Sequence, residues 1–358
     1  MHLMKIRSRV RDYEALFGKL DSFLAKIEKE NNSLACYVVD QKVWGLYKKG
    51  CFDRLDRSRI ILFKADEFNK SLAAVMRLYD ALIERAAKKN IVLVSIGGGI
   101  TQDVSGFLAS TIYRGIKWIY VPTTLLAQAD SCIGGKTSLN YKDYKNLIGT
   151  FYPPHCIIVD TDFIRTQKTL DFYSGIGEIV KLHIIGGGKY INSVTKDLPR
   201  IVKRRGNYLF KAVYNSLLIK KGYIEEDEFD QGKRNLLNYG HCFGHALESA
   251  SNFKIPHGQA IVAGMMLANI VSKARGILSS RVEKKLFDEL LLPILFVGVK
   301  SDLRKEESII ASMKKDKKRT GQKLPLIIID DCLKARRVDD LEEDEIRFAL
   351  GELASIIK

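Results

Sequence analysis

The sequence predicts an α/β domain with a doubly wound parallel sheet, followed by a mainly α-helical domain. Three observations carry this reading. Short apolar β-branched runs alternate with helical periodicity through the first half. One such run, Ile91–Ile96, is apolar nearly throughout, as a strand buried on both faces requires, and it leads directly into Gly97-Gly98-Gly99. Beyond about residue 166 the pattern changes to long amphipathic helices.

In order, Leu34–Val39 and Ile60–Phe63 read as strands, and Leu72–Lys88 as a helix ending in a cationic turn. After the glycines, helical spacing resumes over Asp103–Thr111, and Trp118–Val121 and Ile157–Asp160 read as further strands. The predicted boundary divides a domain at 1–166 from one at 167–358. In the second, helices are expected around Phe172–Ile185, Leu209–Glu225, His241–Ala250, Ala260–Arg275 and Val282–Leu292, with one late strand, Leu324–Ile329.

The 358 residues are 46% apolar and 28% charged, a globular composition that excludes disordered and fibrous classes. No apolar run is long enough to cross a bilayer, and no secretory signal is visible, so a cytoplasmic protein is expected. Six dispersed cysteines without Cys-x-x-Cys read as reduced thiols. A net charge of +16 calls for anionic partners. No zinc-finger, helix-turn-helix or aromatic-basic segment supports nucleic acid as that partner. Lys314, Lys315, Lys317, Lys318 and Arg319 form a basic cluster that reads equally as a solvated face.

Three segments carry chemistry. The glycine turn suits the approach of a pyrophosphate to backbone N–H groups at a helix N-terminus, or plain packing; its spacing is not G-x-G-x-x-G. His241 and His245 stand one helical turn apart, and His257 follows. With a carboxylate such as Glu178 they make a candidate divalent-metal set; the competing reading is helix surface. Asp130–Lys136, with Asn140, Lys145 and Asn146, offers amides, glycines and ammonium groups for an anion, or forms a charged surface turn.

Together these runs resemble the 3-dehydroquinate synthase family of sugar-phosphate cyclases, from about residue 36 to 330. The resemblance rests on Ser95–Gly99, Asp103, Gly106-Phe107, Arg114-Gly115 and Val121–Ala127. It continues through Asp130–Lys136, Lys145–Phe151, Gly177-Glu178 with Lys181, and Arg234–Glu248. It implies a Rossmann-like N-terminal domain that binds NAD, a helical metal- and substrate-binding C-terminal domain, zinc or cobalt, and a homodimer. By matching position it makes Glu178, His241 and His257 the metal ligands, and moves His245 to a substrate-phosphate role with Lys136, Asn146 and Asn238. Arg114 matches an arginine lent across the dimer interface to phosphate. Asp130, Lys181 and Lys220 match substrate-hydroxyl and carboxylate contacts, Arg234 a carboxylate clamp, and Lys317 a lysine on a closing loop. Asp40, Glu67, Lys70, Gly98, Gly99, Asp103, Thr123, Thr124, Lys145 and Thr166 match positions around NAD.

The implied reaction is conversion of 3-deoxy-D-arabino-heptulosonate 7-phosphate to 3-dehydroquinate and phosphate on the route to chorismate and aromatic amino acids. The steps are oxidation by NAD, phosphate elimination, reduction and intramolecular aldol closure. A cyclase for another sugar phosphate is the alternative, and a polyol dehydrogenase of shared architecture a further one. Five positions depart from the family pattern: Gln102 for Gly, Cys132 for Ser, Gly177 for Ala, Asp230 for Glu and Cys242 for Thr.

Overall fold

The computed structural model describes residues 2–31, 34–85, 88–142, 144–314 and 324–357. Two compact units emerge: residues 1–167 with Ile224–Phe229, and residues 168–223 with 230–358.

The first unit is built on strands β1 (His2–Ile6), β2 (Tyr13–Phe17), β3 (Ala35–Asp40), β4 (Ile60–Phe63), β5 (Val92–Gly97), β6 (Lys117–Pro122), β7 (Lys136–Tyr141), β8 (Tyr144–Phe151) and β9 (Cys156–Val159). Seven of them form one sheet in the order β1-β2-β9-β6-β5-β3-β4, parallel throughout except for the β1–β2 pair. Helices α1 (Leu20–Asn31), α2 (Gln41–Tyr47), α3 (Leu72–Glu84) and α4 (Gly99–Thr111) connect the strands. The core under this sheet joins Leu20, Phe23 and Leu24 of α1 to Tyr37, Val39, Val94, Ile96 and Val121 of the central strands.

The chain steps outward from β3 to β4 and then, through β5, β6 and β9, in the opposite direction. The direction of winding therefore reverses between β3 and β5, where open α/β sheets bind ligands beyond the carboxyl ends of their strands. The β1–β2 hairpin, α1, α2 and the β7–β8 hairpin were not expected from the sequence. The polar stretch that read as an anion cradle or a surface turn leaves a helical turn, Ala127–Ser131, passes through the left-handed pair Gly134-Gly135 and continues as the β7–β8 hairpin.

The second unit contains α5 (Thr169–Gly186), α6 (Gly188–Ile201), α7 (Gly206–Glu226, whose last three residues count with the first unit), α8 (His241–Ala250), α9 (His257–Ala274), α10 (Ser280–Leu286), α11 (Lys300–Leu303), α12 (Glu306–Lys314) and α13 (Glu343–Ile356). The late strand is joined by a second: β10 (Leu324–Ile329) pairs antiparallel with β11 (Ala335–Leu341). Helix α9 is buried without a break from Gly258 to Ser272, so it is the axis around which this unit packs. Among the described residues no helix is long and apolar enough to cross a membrane.

Candidate active site

In the first unit, the strand register puts nearly every residue matched to NAD at the carboxyl edge of the sheet. Asp40 ends β3, Glu67 and Lys70 follow β4, and Gly98, Gly99 and Asp103 follow β5. Thr123 and Thr124 follow β6, and Thr166 closes the turn after β9, its hydroxyl 2.8 Å from that of Tyr47. Asp40 caps α2 by accepting from the Lys42 N–H, and burial pushes its carboxyl up against that bond. Thr123 Oγ1 is buried with no hydrogen-bond partner.

The glycine turn divides its labour. A Cβ on Gly97 would lie 2.3 Å from Thr101 Oγ1, and one on Gly98 would lie 3.0 Å from Thr124 Cγ2. A Cβ on Gly99 would meet nothing closer than Ser131 Oγ at 3.8 Å. Packing therefore explains the first two glycines and leaves Gly99 bare at the N-terminus of a thirteen-residue helix. A bare backbone there is what a pyrophosphate needs, and the residues fit a dinucleotide.

Beside this edge lies a polar network. Lys70, buried, pairs with Asp103 at 2.6 Å and donates to Asn146 Oδ1 at 2.6 Å. Asn146 is held in a left-handed conformation (φ 53°) and also accepts from Ser138 Oγ at 3.0 Å. Burial raises the Asp103 carboxyl, opposed by the Lys70 ammonium. Asn140 donates to Glu67 Oε2 at 2.8 Å, and Lys145 Nζ lies 3.9 Å from Glu67. The network thus joins residues matched to NAD with Asn146, matched to phosphate. Lys136 begins β7 and is exposed. Asp130 lies in a π-helical turn, Ala127–Ser131, a widened geometry frequent at functional sites. Arg114 is exposed on a bend where Tyr113, Arg114 and Gly115 all have positive φ (50°, 63° and 118°). Consecutive left-handed non-glycine residues mark a constrained segment.

In the second unit, glycine contacts set the distances between three helices. A Cβ on Gly177 of α5 would stand 2.4 Å from Gly258 O, and one on Gly258 of α9 only 1.9 Å from Ser174 O. The two helix backbones touch there, closer than an alanine at 177 would permit. Gly240, left-handed at φ 79°, and Gly264 play the same part between α8 and α9. Each contact adjoins a chemical residue in sequence: Gly177 precedes Glu178, His257 precedes Gly258, and Gly240 precedes His241.

The result is convergence. Ligand atoms of Glu178, His241 and His257 lie within 4.8 Å of one another. Glu178, with 0% exposure, presents Oε1 at 3.3 Å from His257 Nε2 and 3.9 Å from His241 Nε2. The remaining ring nitrogens are anchored, His241 Nδ1 3.3 Å from Tyr239 O and His257 Nδ1 3.1 Å from Glu248 Oε2. Such anchors fix the tautomer that leaves Nε2 free to bind metal. Burial disfavours a charged His257, but Glu178 and Glu248 outweigh it and push its pKa up to about 10. Two carboxylates around one imidazole thus demand a cation, and a divalent metal can supply that charge in place of the proton. The N,N,O donor set fits zinc or cobalt with a position left open.

A second grouping, His245, Glu248 and His257, also lies within 4.8 Å and uses the opposite nitrogen of His257. The imidazole centroids of His241, His245 and His257 are 5.3–5.9 Å apart. Lys181 forms an ion pair with Glu178, and Lys220 and Arg234 are buried. Asn238, His241 and His245 line a small cavity of about 50 Å³ together with Cys242, Met313 and Arg337. Lys317, on the basic cluster, lies outside the described residues.

Glu248 and Arg337 are residues that reading the sequence missed. Glu248 sits one turn beyond His245 on α8, a spacing that could have flagged it. Arg337 belongs to β11, whose Arg336, Asp339 and Asp340 hide the apolar alternation of a strand.

The 3-dehydroquinate synthase N-terminal domain matches residues 60–174, and the 3-dehydroquinate synthase C-terminal domain residues 175–319. The chain belongs to the 3-dehydroquinate synthase family. A 3-dehydroquinate synthase of Dictyoglomus thermophilum is 35% identical over 353 residues, 98% of each chain. Among solved structures of the wider cyclase group, a 2-deoxy-scyllo-inosose synthase complexed with carbaglucose-6-phosphate, NAD+ and Co2+ is 25% identical. Its TM-score is 0.84, over 98% of this chain and 100% of that one. The 2-epi-5-epi-valiolone synthase of Streptomyces hygroscopicus subsp. jinggangensis, with NAD+ and Zn2+ bound, shares the fold at 22% identity and a TM-score of 0.85, over 96% of this chain and 97% of that one.

Proposed function

We propose that the protein is a 3-dehydroquinate synthase, a carbon–oxygen lyase of the cytoplasm that releases phosphate from 3-deoxy-D-arabino-heptulosonate 7-phosphate and closes the carbocycle. The observation that carries it is the convergence of Glu178, His241 and His257, each with its partner group, on three helices locked by glycine contacts. Bound metal supplies Lewis acidity to a substrate oxygen, and bound NAD a reversible hydride acceptor.

The protein's own groups bind, orient and hold protons. In a nucleotide-binding domain at 1–166, Asp40, Glu67, Lys70, Gly98, Gly99, Asp103, Thr123, Thr124, Lys145 and Thr166 hold the dinucleotide. Lys136 and Asn146 hold phosphate, and Asp130 a substrate hydroxyl. In the second, at 167–358, Glu178, His241 and His257 hold the metal, while Asn238 and His245 donate to phosphate. Glu248 keeps the proton of His257 on Nδ1. Lys181 and Lys220 contact substrate oxygens, and Arg234 forks onto the carboxylate, which its planar guanidinium matches bidentately. Lys317 closes over the substrate, and Arg114 is lent across a homodimer.

Two features speak for the carboxylate-bearing substrate: a buried arginine at 234, and an amide, Asn238, in place of an acidic neighbour. The deciding experiment is incubation of the metal-loaded protein with the heptulosonate and NAD. Phosphate should appear with the cyclic product, and no net NADH should accumulate. One NADH per substrate consumed would identify a polyol dehydrogenase. Cyclisation of sedoheptulose 7-phosphate or glucose 6-phosphate, with none of the heptulosonate, would identify a different cyclase.

A further inference from the structure

Gln102 is a buried amide, 3% exposed, on the second turn of the nucleotide helix α4. It makes two reciprocal bonds to one residue: its Nε2 donates to Ser131 O at 2.7 Å, and Ser131 Oγ donates to its Oε1 at 2.7 Å. Ser131 is the last residue of the widened turn Ala127–Ser131, which closes through Cys132 N–H donating to Ala127 O at 3.0 Å. The middle of that turn is pinned separately, by Gln128 Nε2 donating to Pro122 O at 3.0 Å and Asp160 O at 2.8 Å. Asp130 lies between the two pins.

We propose that Gln102 is a positioning residue for Asp130, holding the Ala127–Ser131 turn in the π register that presents the Asp130 carboxylate. A π turn carries one residue more than an α turn and is the rarer geometry, so outside contacts must sustain it. If it tightens to α, the side chains beyond the slip rotate by about one residue's share of a helical turn, roughly 100°. Gln128 lies before that slip and cannot prevent it; Gln102 grips the far end. The same amide ties the turn to α4, whose Gly99 faces Ser131 Oγ. This inference rests on the reading of Asp130 as a substrate contact.

The test is a double-mutant cycle in the metal-loaded protein, with Gln102→Met, which keeps the volume and removes both bonds, and Asp130→Ala. Gln102→Met should lower kcat by about tenfold to a hundredfold, the scale of an ångström-sized misplacement, with metal content unchanged. On the Asp130→Ala background the same change should cost less than about twofold, because groups acting through one another are not additive. Losses that multiply would overturn the proposal and leave the role of Asp130 standing. Wild-type turnover in Asp130→Ala would overturn both. Should Gln102→Met fail to fold, Ser131→Ala removes one of the two bonds from the other side. It should show a smaller loss with the same dependence on Asp130, and independence from Asp130 would equally overturn the proposal.

Discussion

Gly258 in the second unit and Gly99 in the first do opposite things. In the second, Gly177, Gly258 and Gly264 are absences filled by other backbone, with carbonyl oxygens where their Cβ atoms would be, and Gly240 is filled by Met265 Cγ and Ile261 O. In the first, Gly99 is an absence left open. The lesson is that a glycine next to a chemical residue has two physical meanings. Only the distance to the nearest protein atom separates them: one kind builds the site, the other leaves room for what the site holds.

The largest expected effect follows from the filled kind. Gly258→Ala puts a methyl group 1.9 Å from a backbone carbonyl that has no flexible end to yield. It should cost about 3 kcal/mol or more, and separate Glu178 from His257. Denaturant unfolding and metal stoichiometry check this together. Retained full metal content with unchanged stability would show that the glycine contact does not set the site. Gly177→Ala, whose Cβ would lie 2.4 Å from Gly258 O, should act in the same direction and more weakly.

Next come the residues these contacts position. Loss of His241 leaves an incomplete donor set, so His241→Ala should lose metal. Glu248→Ala frees the His257 ring and should lower metal affinity by about tenfold to a hundredfold. His245→Ala should keep its metal and lose turnover. Metal content falling in His245→Ala as far as in His241→Ala would favour the alternative group of His245, Glu248 and His257.

The open kind predicts a split between two readouts. Gly99→Ala should weaken NAD binding, since the methyl group occupies the space facing the ligand. Stability should hold or rise by up to about 1 kcal/mol, because alanine is the better helix former. Gly97→Ala, whose Cβ would meet Thr101 at 2.3 Å, should instead lose stability. Equal behaviour of the two variants in both thermal unfolding and NAD titration would erase the difference between a filled and an open glycine.

The same contrast explains what the sequence made legible. Strand β5, the glycine turn and the three histidines are dense local signals, and helix α8 is found at the predicted residues, His241–Ala250. Helix α6 was missed because Gly188 opens it and Pro199 lies within it, both of which argue against a helix locally. Hairpin β7–β8 was missed because polar Thr137 takes a buried position in β7 and apolar Leu147 an exposed one in β8, so no apolar alternation marks it. Which glycine is filled and which is open is invisible in sequence, because the answer lies in the backbone of a distant segment. The pairing of His257 with Glu248 likewise depends on how α8 and α9 pack.

A pH-dependent effect sharpens the comparison through two neutral histidines, one in each unit. His155 lies just before β9, and its pKa is lowered to about 4 by burial and then by Arg11 and Lys117. His183, 1% exposed on α5, is lowered to about 4 chiefly by burial, with Lys211 adding to it against the bond to Ile179 O. In the unfolded chain both take a proton near 6.5. Between about 6.5 and 4 the unfolded state therefore binds more protons, and folding stability falls as the pH falls. For His183 the full loss is on the order of 3 kcal/mol by pH 4. In metal-free protein His257, raised to about 10, is protonated in both states throughout this window and contributes a constant. Its own contribution is lost only above 6.5, as the pH rises toward 10. Denaturant unfolding of metal-free protein from pH 6 to 4 should show this slope, and His183→Gln should flatten it by one proton's worth in the second unit while the His155 share in the first remains. An identical slope in wild type and His183→Gln would mean that the α5 histidine is charged in the fold, and that its burial is relieved by a partner other than Ile179.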